Sequence, residues 1–120
     1  MIIIDTNMLM ELNTIDIFER LKEFSQFGEP IIFSCSLREL RKLKTKQMVG
    51  KYTAIPLRLI KDKKIKLIKT KNLYADYAIL KFAKPEIDAV ATNDKKLIKE
   101  LKTNKIRVLR LRQRRYFVLE

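Results

Sequence analysis

At 120 residues and 47% hydrophobic content the chain has room for one compact domain with a real core, and it is too apolar to read as disordered. One cysteine, Cys35, excludes an internal disulfide, and the absence of histidine excludes paired-imidazole ribonuclease chemistry, a Ser-His-Asp triad and a Cys/His zinc site. The net charge of +13 is uneven: residues 1–60 hold 9 Lys/Arg and 7 Asp/Glu, whereas residues 61–120 hold 18 and 7.

Met1-Ile2-Ile3-Ile4 is a continuous apolar run suited to a strand buried on both faces of a parallel sheet, and Asp5-Thr6-Asn7 breaks it. Ile17, Phe18, Leu21 and Phe24 recur at helical spacing up to Gly28. The apolar run Ile31-Ile32-Phe33 predicts a second strand, and Leu37, Leu40 and Leu43 a second helix. Residues 46–61 have helical character interrupted by Gly50 and Pro56. Ile65 to Ile68 predicts a third strand, Leu73 to Phe82 a helix stopped by Pro85, and Ile87 to Ala91 a fourth strand. Lys95 to Leu101 predicts a helix and Ile106 to Leu109 a fifth strand. Strands alternating with helices imply an α/β fold, a three-layer α/β/α sandwich around a mostly parallel sheet of four to five strands, with residues 1–120 as a single domain. No apolar run is long enough for a signal peptide or a membrane span, so a cytoplasmic protein is expected.

With no imidazole and one thiol, metal or acid–base chemistry falls to carboxylates, hydroxyls, amides and water, and oxygen-only ligands point to Mg²⁺ or Mn²⁺. In open α/β sheets the functional crevice lies at the carboxyl ends of the strands. Asp5 follows the first strand there, and Asp94 follows the fourth through Ala91-Thr92-Asn93. Each also has an ordinary role: Asp5 as a turn former, Asp94 as the N-cap of the helix at Lys95. Ser36-Leu37-Arg38-Glu39 matches a capping box, yet Glu39 also borders the Leu40/Leu43 stripe, within reach of a strand end. Asp76 shares a helical face with Ile79, Leu80 and Ala83, which predicts a carboxylate on a core-facing stripe that needs a cationic partner. A dication shared by several acids, or a basic side chain, would answer that need.

Ile106, Arg107 and Val108 alternate as a half-exposed strand, followed by Arg110, Arg112, Arg114 and Arg115, then Tyr116. These residues suit phosphate contacts with Tyr116 as a stacking platform for RNA, or an edge strand whose arginines resist edge pairing. The basic half as a whole attracts polyanions, although a lysine-rich face that only aids solubility has the same composition.

Four segments in order resemble the PIN-domain family of metal-dependent nucleases along the whole chain: Ile3-Ile4-Asp5-Thr6-Asn7, Ser36 to Leu43 with Glu39, Tyr74 to Leu80 with Asp76, and Val90 to Leu97 with Asp94. The resemblance is closest to the archaeal and eukaryotic branch of ribosomal-RNA processing endonucleases, which the basic ending also resembles, and looser to VapC-type toxins. One departure is Tyr77, where relatives often carry a second aspartate; it bears on a second ion, so one ion is expected and two stay open. The resemblance implies endonucleolytic cleavage of RNA by metal-activated water, leaving a 3′-hydroxyl and a 5′-phosphate. It implies Asp5, Asp76 and Asp94 as ligands of Mg²⁺ or Mn²⁺, with Glu39 holding an outer water or a second ion. Thr92 and Asn93 would orient Asp5 and Asp94, and Asn7 would fix the turn, if they are more than ordinary loop residues. The alternatives are a toxin ribonuclease held silent by an antitoxin, typically as a homodimer, and a non-catalytic RNA-binding or ribosome-assembly module.

Overall fold

The computed structural model describes residues 1–44, 50–71 and 73–120. Its first strand, β1 (Ile2–Ile4), sends Ile2 and Ile4 into one apolar layer and Ile3 into the other, the period-2 alternation of a strand covered on both faces. In chain order there follow α1 (Thr6–Leu9), α2 (Ile17–Leu21), β2 (Pro30–Phe33), α3 (Ser34–Leu43), α4 (Ala54–Asp62) and β3 (Lys66–Ile68). Then come α5 (Ala75–Phe82), β4 (Ala89–Ala91), α6 (Lys95–Thr103), β5 (Arg107–Arg112) and β6 (Tyr116–Leu119).

The strands form one sheet in the order β3-β2-β1-β4-β5-β6, parallel except for β6. On one face Met8, Leu9, Ile17, Leu21, Leu40 and Ile60 pack against Ile2, Ile4 and Ile32. On the other, Ala78 and Ile79 of α5 and Leu97 and Leu101 of α6 pack against Ile3, Ile31, Val90 and Val108. The three layers are those that the alternation of strands and helices predicts. Among the described residues no helix is long and apolar enough to cross a membrane.

Among the described residues the sheet has six strands instead of four to five. The extra one, β6, returns from β5 through a hairpin in which Arg115 N–H donates to Arg112 C=O at 3.0 Å. Gln113 and Arg114 at its tip have φ of 53° and 52°, without the Gly or Asn that usually marks such a turn. Arg110 to Phe117 therefore belongs to two strands and their turn. The helix expected from Ile17 to Phe24 is α up to Leu21 and then tightens to 3₁₀ over Lys22–Phe27. Gly28 leaves it at φ 102°, where a Cβ would stand 3.3 Å from Met1 Cα.

Of the helix expected over 46–61, residues 46–49 lie outside the described residues; a short 3₁₀ turn over Gly50–Tyr52 precedes α4. Pro56 is the third residue of α4, where its missing N–H costs nothing. Ile87 is exposed and outside β4, while Asp88 beside it is buried and accepts from Lys84 N–H at 2.8 Å. That turn, not a longer strand, brings the chain into β4.

Candidate active site

Successive strands run outward from β1 on one side and from β4 on the other, so the strand order reverses between them. At such a switch point the loops leaving two neighbouring strands diverge and open a crevice at their carboxyl ends. Asp5 leaves β1 there, its N–H donating to Ala91 C=O at 3.1 Å, and Asp94 follows β4 by three residues. A cleft of about 790 Å³ opens above them and is lined by Asp5, Glu39, Asp76 and Asp94 together. A second cleft of about 450 Å³ lies at the other end of the sheet, beside Gly28, Pro30 and Lys66, and gathers no such group of acids.

Asp5 is only 3% exposed. Burial pushes its carboxyl up from 3.8 to about 6, and the charges of Asp76 and Asp94 push the same way, while a hydrogen bond from Thr92 pulls it down. That bond, Thr92 Oγ1 to Asp5 Oδ2, is 2.8 Å long. The same hydroxyl oxygen accepts from Asp94 N–H at 3.1 Å, so one buried side chain links the two acids. Asn93 holds the loop from its other side: its Nδ2 donates to Leu111 C=O at 3.0 Å and its Oδ1 accepts from Leu111 N–H at 2.8 Å. This amide side chain continues the β4–β5 ladder past the last residue of β4.

Asp94 is the N-cap of α6, accepting from Lys96 N–H at 2.9 Å and Leu97 N–H at 3.1 Å. Both amides go to Oδ1, so the cap uses half of the carboxylate. Cap and cleft residue are thus compatible roles.

Glu39 is not part of a capping box. Helix α3 starts at Ser34 with Phe33 at its N-cap, which puts Glu39 in the helix interior. Its Oε2 accepts from Thr6 Oγ1 at 3.0 Å and its Oε1 from Ala75 N–H at 2.9 Å. The carboxylate therefore ties α3 to the first turn of α1 and caps α5 from outside.

Asp76 is exposed, which corrects the core-facing position predicted for it. The buried side of α5 is Ala75, Ala78 and Ile79, and Asp76 stands off that stripe on the cleft wall. Its carboxyl is still held above the usual range by partial desolvation and by Asp94, Glu39 and Glu100, with Lys96 opposing. Of the four cleft acids it is Asp5, and not Asp76, that is buried.

Asn7 is exposed on the cleft rim. Arg38 and Lys42, one turn apart on α3, line the same cleft beside Glu39. Their i, i+4 spacing around the acid was readable in the sequence. Thr6 escaped notice as a site residue, and its only signal was its place directly after Asp5.

The basic ending is divided. Arg112 and the hairpin with Arg114 and Arg115 stand at the same end of the sheet as the acids, because β5 is parallel to β4. Arg107 begins β5 at the opposite end, about 17 Å away at strand rise. Arg110 lies 3.8 Å from the largely buried Glu120 carboxylate and is itself mostly covered, whereas the exposed Arg112 and Arg114, 3.8 Å from Glu120 and Glu11, are held only loosely. Tyr116 is exposed at the start of β6.

The donor set is all carboxylate oxygen, which suits a hard cation. Among the described residues no three of these side chains stand close enough to grip one ion directly. Mg²⁺ commonly keeps several of its waters, so a spread set of carboxylates that reaches it partly through water remains a chemical fit.

The family profile of the PIN like domain matches residues 2–114. Over 92 residues the chain is 44% identical to "Ribonuclease VapC4" of Methanocaldococcus jannaschii, covering 74% of this chain and 70% of that protein. Among solved structures, "Structure of the PIN domain endonuclease Utp24" superposes with a TM-score of 0.78 at 30% identity, covering 99% of this chain and 90% of that one.

Proposed function

The chain belongs to the PIN like domain family, and from that premise we propose that residues 1–120 form a single divalent-metal-dependent endoribonuclease domain acting in the cytoplasm. The observation that carries the reading is Asp5, buried beside Asp76 and Asp94 with its carboxyl lifted to about 6. Like charges gathered in a partly dry cleft oppose folding unless a cation joins them.

Asp5, Asp76 and Asp94 would hold Mg²⁺ or Mn²⁺, directly or through water. When bound, the ion supplies a polarised water nucleophile and offsets charge on the phosphorus in the transition state. Thr92 fixes the Asp5 carboxylate by holding Oδ2, and Asp94 keeps Oδ1 on the helix amides. Glu39, anchored by Thr6 and Ala75, would hold an outer water or a second ion at the cleft wall. The water oxygen bonds to phosphorus as the P–O3′ bond breaks; the water gives up a proton and the leaving oxygen takes one, giving a 3′-hydroxyl and a 5′-phosphate. Arg38 and Lys42 on one side, and Arg112, Arg114 and Arg115 on the other, attract the RNA backbone across the acids, and Tyr116 offers a ring for a base to stack on. Arg110 continues this basic surface down β5, while Arg107, at the far end of the strand, adds only long-range attraction.

Similarity to the PIN domain endonuclease Utp24 supports internal cutting of a nucleic acid, and the basic ending, which resembles that of ribosomal-RNA processing endonucleases, favours such processing with a ribosome-assembly partner. Similarity to VapC4 supports a second reading, a toxin ribonuclease kept silent by an antitoxin, typically as a homodimer. Structured RNA incubated with the protein and Mn²⁺ should be cut, and either EDTA or Asp94→Asn should abolish cutting while the amide keeps the helix cap. Cutting that is indifferent to both would sink the metal mechanism. Absence of any cutting would favour a non-catalytic RNA-binding module. Growth arrest on expression, relieved by a co-expressed partner, would select the toxin reading.

A further inference from the structure

The two edges of the sheet are protected unequally. An edge strand offers unpaired backbone N–H and C=O groups to any other strand, and lysines, prolines or bulges normally discourage that pairing. At one edge β3 carries Lys66 and is flanked by Lys64 and Lys69. At the other, β6 reads Tyr116-Phe117-Val118-Leu119, with neither a charge nor a proline. The arginines that could guard this edge sit on β5 and in the hairpin instead. Tyr116, Val118 and Leu119 are 44%, 36% and 36% exposed, a run of large apolar side chains along an open strand.

The hydrogen-bond phase of β6 decides which of its backbone groups are open. Val108 and Glu120 exchange both bonds, Val108 N–H donating to Glu120 C=O at 3.1 Å and Glu120 N–H to Val108 C=O at 2.8 Å. Alternation along an antiparallel ladder then turns the backbone of Val118 and Tyr116 toward Arg110 and Arg112, and that of Phe117 and Leu119 outward. Among the described residues nothing meets those outward groups. The pattern is its own complement. With a two-fold axis at Val118, Phe117 of one copy exchanges both bonds with Leu119 of the second copy, and Leu119 does the same with Phe117. Val118 faces its own counterpart across the axis as a close, non-hydrogen-bonded pair, and the partly exposed Leu119 falls opposite Phe117.

Charge supports the same register. Glu120 is the one acid in segment 115–120. Pairing about Val118 sets it across from Tyr116 of the second copy and next to Arg115 of that copy, so the acid meets a cation and never its like. We propose that β6 is a self-association surface, on which a second copy of this chain docks edge to edge and the two sheets become one, as a symmetric dimer. The contact is small, so the dimer is weak, and two chains of charge +13 repel, so salt strengthens it. The hairpins then lie at opposite ends of the joint sheet, and the two acid clefts open away from each other. The pairing stands apart from RNA cleavage: a protein that cut no RNA would still form it.

The test is sedimentation equilibrium in moderate salt, from about 10 µM to about 1 mM protein, where the wild type should pass from monomer to dimer. Val118→Lys and Val118→Glu should each weaken association about tenfold or more, because like charges then meet on the axis. An equal mixture of the two variants should associate again, because the charges on the axis are then opposite. Both should melt within a few degrees of the wild-type monomer, since Val118 is already partly exposed. Amide hydrogen exchange on the wild type needs no variant: Phe117 and Leu119 N–H should slow as concentration rises, while Val118 N–H, turned toward Arg110, stays slow throughout.

A wild type that remains monomeric over the whole range would overturn the proposal. So would a dimer that both variants leave intact, a mixture that fails to associate, or a dimer whose formation slows neither outward amide. If either variant unfolds, the exchange of Phe117 and Leu119 decides alone.

Discussion

In the unfolded chain the Asp5 carboxyl ionises near 3.8, and in the folded protein near 6. Well below pH 3.8 both states are protonated and the group has no effect on stability. Between pH 4 and 6 the unfolded state ionises first, so stability falls as pH rises, and above about 6 the full cost of about 3 kcal/mol is present. Asp5→Asn keeps an acceptor for Thr92 and removes the charge. In EDTA this variant should melt within about 2 °C of the wild type at pH 4 and above it by roughly 10 °C at pH 8. Adding Mg²⁺ or Mn²⁺ should raise the wild-type melting temperature, by about 2.7 kcal/mol of stability at a hundredfold excess over Kd, and leave Asp5→Asn unmoved. Calorimetry with and without metal checks both expectations. Thr92→Val should cost about 1–3 kcal/mol, because a buried carboxylate loses a donor and Asp94 N–H loses an acceptor, while Thr92→Ser should restore both in urea unfolding.

At the scale of the element, the β5–β6 hairpin holds two side chains where glycine is at ease. Arg114→Gly should stabilise the fold by about 1 kcal/mol in thermal unfolding while weakening RNA binding, since a strained residue is relieved and a cation is lost. The same hairpin shows why β6 was hidden in the sequence. Gln113-Arg114 carries no turn signal, so Arg110 to Phe117 reads as one basic ending. By contrast β1 was plain, because three isoleucines buried on both faces leave no polar residue to mislead, and Asp5 at its end followed directly. Asp94 was legible both as a cap and as a crevice residue, and it is both. Asp76 was misread because the buried stripe of α5 is built largely of Ala75 and Ala78, which weigh little against Ile79 and Leu80 when a face is assigned. For Glu39 the sequence left a capping box and a cleft position open, and the structure takes the second; its partners, Thr6 and Ala75, are distant in the chain, and no local pattern reports a helix capped by another helix.

For the whole molecule, a charge of +13 makes association with RNA a matter of counterion release. Five cations near the acids, Arg38, Lys42, Arg112, Arg114 and Arg115, would give a slope of about −3.5 for log affinity of single-stranded RNA against log salt. Arg115→Ala should reduce that slope by about 0.7 with little effect on melting, whereas Arg107→Ala, at the far end of β5, should leave it nearly unchanged. Titrations from low to high KCl measure both, and a flat affinity would remove the basic ending from the RNA path.

The two bonds between Asn93 and Leu111 also bear on how such a protein can change. Asp5 follows its strand without an intervening residue, and the short stretch before Asp94 is laced to the neighbouring strand, so neither loop can lengthen without unhooking an acid. New recognition must therefore be grafted on the opposite wall, at the approach to α5 where Tyr74 stands, or on the hairpin tip. The reaction centre is the inextensible side of the cleft, and its vocabulary of substrates can be rewritten from the other.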